Sequence, residues 1–255
     1  MIVKNLVFSF YTFKGFMENE AIRLHLKCLK RYSHIFDNAL FVISIKDTSD
    51  IGTIKETEKA IIDCGFRHIK FTVSQNDYYC EGKAFKEEII DKIDSFEGLT
   101  FFGHTKGVTN VENPKMGKVS ILKWIAGMYY LNLNFIDEVE RMLIKEFTCA
   151  MYGAYKVIDK SIENANNRWY AGTFYWINTN RLSNNMRQRG RKFPKLHDRG
   201  YAEFITGEVD MLASHGDAYL FPFEYNNAGF LINFLLLNDS EEIEKYHVYE
   251  KEVGV

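Results

Sequence analysis

The sequence predicts an α/β fold with a mostly parallel central sheet and helices on both faces, and three observations carry that expectation. Short runs of β-branched and aromatic residues alternate with segments of helical apolar spacing. The strand-like runs are apolar along their length, as strands covered on both faces are. The chain has 255 residues with 46% apolar content, enough for one large core without a disulfide or structural metal.

Each element follows in order. Ile2–Phe10 reads as a first buried strand, and beyond a Thr/Lys/Gly segment Ile22, Leu26, Leu29 and Phe36 recur at helical spacing. Ala39–Ile45 is a second strand closed by Lys46-Asp47, followed by a polar helix from Thr53 to Asp63 that stops near Gly65. His68–Val73 is the third strand. A loop through Asn76 and Gly82 leads to a helix with Phe85, Ile89 and Ile93 on one face, then to a fourth strand, Leu99–Gly103. A long helix over 119–133 presents Leu122, Ile125 and Tyr129, and a second runs from Phe135 to Lys145. Two apolar runs, Cys149–Tyr155 and Tyr170–Ile177, read as strands, Arg181–Arg199 as a basic and polar stretch, and a short helix carries Ala202, Ile205, Val209 and Leu212. No linker rich in Pro, Gly or Ser divides the chain, so 1–255 is expected to form a single domain.

Composition narrows the function. Thirty-two basic against 34 acidic side chains leave a formal charge of −2, without the basic footprint that duplex nucleic acid demands. Cys28, Cys64, Cys80 and Cys149 include no C-x-x-C pair, and the seven histidines no H-x-x-x-H pair, so zinc-type sites are not expected and the thiols read as reduced, in a cytosolic protein. The N-terminal run lacks the small-residue cleavage site of a signal peptide, and the apolar run Gly229–Leu237 is broken by Asn233 and falls short of the ~20 residues of a membrane span. Neither G-x-S-x-G, G-x-G-x-x-G nor a Walker loop is present, which counts against hydrolase, dehydrogenase and P-loop readings.

Three local patterns carry chemistry. Gly103-His104-Thr105-Lys106-Gly107 follows a buried strand, and in parallel sheets ligands gather at the carboxyl ends of strands. Lysine supplies a point charge and histidine a donor to an anion such as a diphosphate, although two glycines also suit an ordinary polar turn. Tyr170-Ala171-Gly172-Thr173-Phe174-Tyr175-Trp176 places a glycine within an aromatic strand, which suits a sugar or base ring but equally a core. Glu203, between Ala202 and Phe204, is a carboxylate in apolar company, where a raised pKa would suit a general base; a helix-start glutamate reads the same way.

In that order, the H-T-K-G of residues 104–107, the G-T-F-Y-W of 172–176 and the A-E of 202–203 resemble bacterial GT-A type glycosyltransferases of capsule, O-antigen and other surface polysaccharide pathways. The resemblance implies a GT-A-like (Rossmann-like) fold, with a nucleotide-binding half over 1–110 and an acceptor and catalytic half over 111–255, and transfer of a sugar from a nucleotide-sugar donor to a hydroxyl of a polysaccharide or lipid-linked glycan. It implies that Tyr11, Thr12 and Phe13 line the nucleotide site, that Asp47 contacts base or ribose, and that Asn76, Gly82 and Lys83 flank nucleotide and diphosphate. Gly172, Thr173 and Trp176 would shape the sugar or acceptor pocket, with Glu203 as base and Gly107 beside the donor. Such enzymes usually hold Mg²⁺ or Mn²⁺ on a D-x-D motif after the fourth strand, where this chain has His104-Thr105-Lys106. No metal is therefore assigned, and His104, Lys106 and an arginine of 181–199 are expected to meet the leaving charge instead. The basic stretch also suits an anionic membrane surface, which would place the enzyme in the cytoplasm at the inner face of the membrane. The alternatives are a non-catalytic carbohydrate- or nucleotide-binding domain, a glycan hydrolase pairing Glu203 with Asp210 or Glu208, and a purely structural partner protein.

Overall fold

The computed structural model describes residues 2–46, 51–79, 81–109, 118–145, 150–153, 156–158, 168–170, 173–188, 190, 192–193, 195–196 and 214–215. Asp47, Gly172, Glu203, Glu208 and Asp210 lie outside these residues, as do Cys80, Cys149, Arg189, Arg191, Arg199, the segment 201–212 and the run 229–237.

The fold is α/β with a mixed, mostly parallel seven-stranded sheet in the order β3-β2-β1-β4-β8-β5-β9. Its strands are β1 (Lys4–Thr12), β2 (Asn38–Ile45), β3 (Ile69–Gln75), β4 (Leu99–His104), β5 (Met151–Tyr152), β8 (Tyr175–Ile177) and β9 (Ser214–His215). The first four are mutually parallel, whereas β8 runs antiparallel to both β4 and β5. A separate antiparallel pair joins β6 (Lys156–Ile158) and β7 (Arg168–Tyr170). The helices are α1 (Glu20–Tyr32), α2 (Thr53–Ile62), α3 (Glu81–Phe85, continued by a wider turn over Lys86–Ile90), α4 (Lys118–Leu133), α5 (Ile136–Glu140, continued likewise over Arg141–Lys145) and α6 (Thr179–Gln188).

Strand alternation sorts the core onto the two faces of the sheet. Leu6, Phe8 and Phe10 of β1, Phe101 of β4 and Trp176 of β8 face α1 and α4, packing with Ile22, Leu29, Ile125 and Tyr129. Val7, Phe102, Tyr175 and Ile177 face the other way, onto Phe85 and Ile89 of α3 and Leu182 and Met186 of α6. Helices therefore cover both faces, as the sequence predicts. α1 buries Ile22, His25, Leu26 and Leu29, an i, i+3, i+4, i+7 stripe, and Asn19 caps it by accepting from the Ile22 N–H at 3.2 Å. α4 is buried on more than the single expected face, with Ile121, Ala126, Met128 and Leu131 buried beside Leu122, Ile125 and Tyr129.

Three expectations are corrected. The aromatic run 170–177 is not one strand: Tyr170 ends β7 in the small sheet and Tyr175 opens β8 in the large one. Thr173 between them has φ +58°, a left-handed conformation incompatible with a continuous strand. The basic stretch after Arg181 begins as α6, an amphipathic helix whose Leu182, Ser183 and Met186 are buried and whose Arg181 N–H is capped by Asn178 Oδ1 at 3.0 Å. Phe36 and Ile93 are buried as core residues, but Phe36 lies past the end of α1 and Ile93 in a short turn after α3. Among the described residues no helix is long and apolar enough to cross a membrane.

Candidate functional site

The strand order puts β1 between β2 and β4: after β1 the chain turns to one side for β2 and β3, then crosses back to β4 on the other. The carboxyl ends of β1 and β4 thus form a topological switch point, the place where open parallel sheets bind ligands. His104-Thr105-Lys106-Gly107 sits there, with His104 paired in register with Ser9.

The turn is held from several sides. The Thr105 N–H donates to the Ser9 carbonyl at 3.1 Å, and Thr105 Oγ1 accepts from the Tyr11 N–H at 2.9 Å. The Lys106 N–H closes back on the His104 carbonyl at 2.8 Å. From α1, Asn19 donates its amide to the Val108 carbonyl at 3.0 Å, while His25 Nε2 lies 2.9 Å from the Lys106 carbonyl and its Nδ1 2.9 Å from the Tyr129 hydroxyl. A carbonyl only accepts, so Nε2 carries the His25 proton and Nδ1 accepts from Tyr129. Burial pushes the His25 pKa down from 6.5 to about 3; the bond to the Lys106 carbonyl opposes that shift and the charge of His104 adds to it. His25 is therefore a neutral clamp joining α1, α4 and the turn.

Glycine is required at one position here and closely fitted at another. Gly107 has φ +81°, and a Cβ on it would stand 2.5 Å from Ile121 Cγ2. A Cβ on Gly103 would stand 3.0 Å from the Phe8 ring and 3.3 Å from that of Phe174.

The two predicted cationic side chains occupy different surroundings. His104 is 8% exposed, its ring centroid 6.1 Å from that of Phe174 and its Nδ1 3.9 Å from Glu81 Oε2 at the start of α3. The half-buried Lys106 holds its ammonium 5.0 Å from the centre of the Trp124 ring, a cation–π contact. Tyr11 and Phe13, both half-buried, lie with ring centres 5.6 Å apart and planes tilted by 35° at the end of β1. Asn76 extends the sheet by donating its N–H to the Ile45 carbonyl at 2.7 Å, and Lys83 pairs with Asp77 at 3.2 Å. Phe174 packs against both His25 and Tyr129. Thr173 beside it is fully buried, and its hydroxyl finds no hydrogen-bond partner among the described residues.

Other expected contacts are not formed. Thr12 is fully buried and shares a 2.7 Å hydrogen bond with Thr57 of α2, so it ties β1 to that helix rather than lining a ligand site. Trp176 is also fully buried: its indole N–H donates to the Asn132 carbonyl at 2.8 Å, and its ring packs between Phe36 and Phe101. It supports the last turn of α4, whose carbonyls lack helical donors, and does not reach a sugar pocket. Arg181 and Arg187 do not supply a third cation. β8 runs antiparallel to β4, with Ile177 opposite Thr100, so α6 starts at the opposite end of the sheet. There Arg181 donates to the Ile144 carbonyl at 3.1 Å and Arg187 pairs with Asp94.

The sequence reading passed over Glu81 and the roles of His25 and Trp124. The signal for His25 is its place on the apolar stripe of α1, since a histidine there needs partners for both ring nitrogens. Two surface clefts lie away from the turn. One of about 770 Å³ is bounded by Lys86, Ile90, Asp94, Met186 and Arg187 at the amino end of the sheet, and one of about 490 Å³ lies between α1 and α2 beside Leu26, Lys30, Ala60 and Cys64. Among the described residues no three His, Cys, Asp or Glu side chains converge as a metal site. Comparison of the sequence with protein-family models returns no match, and comparison with curated proteins returns none.

Proposed function

We propose that this chain is a glycosyltransferase with a GT-A-like fold, transferring a sugar from a nucleotide-sugar donor to a hydroxyl of a polysaccharide or lipid-linked glycan. The observation that carries the reading is the H-T-K-G turn at the switch point between β1 and β4, where two cationic side chain types meet the ligand-binding end of a parallel sheet.

In this reading an acceptor oxygen attacks the anomeric carbon while the bond to the donor diphosphate breaks, and the diphosphate departs with the electron pair. Lys106 and His104 neutralise that developing charge, a role that fixed cations fill in place of a divalent ion. Glu203 takes the acceptor proton, a contribution of typically ~10²–10⁴-fold. Tyr11 and Phe13 offer the nucleotide an aromatic wall, with Asn76 and Lys83 on the β3 side. Asp47 and Gly172 keep the donor-contacting roles that the resemblance implies. Thr12 and Trp176 act through the fold alone.

The test is thermal unfolding with UDP, GDP, CDP, dTDP and their common sugar conjugates, each with Mn²⁺, Mg²⁺ or EDTA. A ligand at 100 times its dissociation constant adds ~2.7 kcal/mol, a shift on the order of 5–10 °C at this chain length. Stabilisation by one nucleotide that persists in EDTA supports the reading. Stabilisation that requires metal retains the enzyme class and removes the role given to Lys106 and His104. No shift with any nucleotide overturns the reading.

A further inference from the structure

We propose that Glu81 is a positioning residue that sets the charge and orientation of His104. The inference rests on the reading above only for what the charged imidazole meets; the pairing stands on geometry alone.

Glu81 opens α3, and His104 closes β4. The fold brings them together because β3 leads into α3 at the same end of the sheet at which β4 stops. Glu81 Oε2 lies 3.9 Å from His104 Nδ1, and the two side chains are 16% and 10% exposed. Water therefore screens the pair poorly, and a carboxylate at this range favours the imidazolium. It also favours a proton on Nδ1, the ring nitrogen that faces the carboxylate.

The groups around His104 come from several elements. Lys106 in the same turn opposes a positive imidazole, and Lys83, two residues after Glu81, is paired with Asp77. His25 on α1 is neutral, and Tyr129 on α4 donates to it. Phe174 of the segment leading into β8 brings no charge. Glu81 thus sets a carboxylate against His104, and it offsets the repulsion between a positive imidazole and the lysine two residues on. Glu81 thereby favours the imidazolium form of His104 against the burial of its ring, and it is that form, beside Lys106, that would meet a diphosphate.

The experiment follows the imidazole C–H resonance of His104, assigned by its loss in His104→Gln, through a pH titration of the full chain and of Glu81→Gln. The expected result is a midpoint lower by about 1 pH unit in Glu81→Gln, with the resonance of exposed His34 unmoved. Glu81→Asp, which keeps the charge on a shorter stem, is expected to fall between the two and serves should the glutamine variant not fold. An unchanged His104 midpoint in both variants overturns the inference. Calorimetric titration with the same four nucleoside diphosphates at each pH completes the test. Loss of affinity on raising pH, displaced to lower pH in Glu81→Gln, supports the joint picture. A displaced midpoint with no nucleotide bound at any pH sustains the Glu81 pairing and overturns the glycosyltransferase reading.

Discussion

Replacing Gly107 by alanine tests whether the H-T-K-G turn is locked by its backbone and by α4. The residue has φ +81°, a region that costs an L-residue roughly 1–2 kcal/mol. The new Cβ would stand 2.5 Å from Ile121 Cγ2 and 3.4 Å from Ile125 Cδ1, both on α4. Ile121 is 3% and Ile125 0% exposed, so neither side chain can swing into solvent, and overpacking of this kind costs roughly 1–3 kcal/mol. The sum is on the order of 2–5 kcal/mol, a large share of the ~5–15 kcal/mol typical of a folded domain. Urea unfolding of the wild type, Gly107→Ala, Ile121→Ala and the double variant separates the two contributions. In the Ile121→Ala background the glycine substitution should cost only the backbone part, about 1–2 kcal/mol. A Gly107→Ala variant within about 0.5 kcal/mol of wild type, the range of an ordinary surface change, would refute the reasoning. So would equal cost in both backgrounds, which would show that Ile121 is not what the turn presses against.

Two more outcomes follow from the same geometry. His25 has a folded-state pKa of about 3 against 6.5 for the free side chain, so between those values the unfolded chain binds a proton that the folded chain does not. Its contribution is fully present above pH 6.5 and is lost as pH falls toward 3, at up to about 1.4 kcal/mol per pH unit; the pH dependence of urea midpoints should be shallower by that slope in His25→Gln, and equal slopes would contradict a neutral buried clamp. Trp176→Phe leaves the Asn132 carbonyl without its donor and should cost about 1–3 kcal/mol in stability, while donor affinity measured on the folded variant stays unchanged; a selective loss of affinity would return Trp176 to the binding site.

Much of the sheet was legible because strand and helix periods differ. β1 to β4 and the helices between them fall where the apolar runs and stripes predict, with the first strand displaced two residues toward the C-terminus, to Lys4–Thr12. The second half was less legible, since strands such as Met151–Tyr152 and Tyr175–Ile177 are too short to show a period. Their place in the sheet depends on the pairing of β8 with β4 and of β5 with β8, which no local pattern encodes. α6 was hidden because its two apolar anchors, Leu182 and Met186, sit among Asn, Arg and Gln. Thr12 and Trp176, placed at the site by the resemblance, are buried with their polar atoms held by Thr57 and the Asn132 carbonyl, partners that only the folded chain shows. Glu81 and His104 meet from elements far apart in the chain, so their pairing could not be read from spacing. The turn itself was legible, because two glycines flanking cationic residues after an apolar strand leave a local mark.

The most direct test of the central claim, that the turn seats a diphosphate, is calorimetric titration of the stabilising nucleotide as its diphosphate and its monophosphate. The proteins to compare are the wild type and Lys106→Ala. A charge-assisted hydrogen bond is worth ~1.5–3 kcal/mol, so the wild type should prefer the diphosphate by on the order of 10–100-fold, and Lys106→Ala should lose most of that preference while binding the monophosphate as before. An equal preference in the two proteins would contradict the claim and place the diphosphate elsewhere on the molecule.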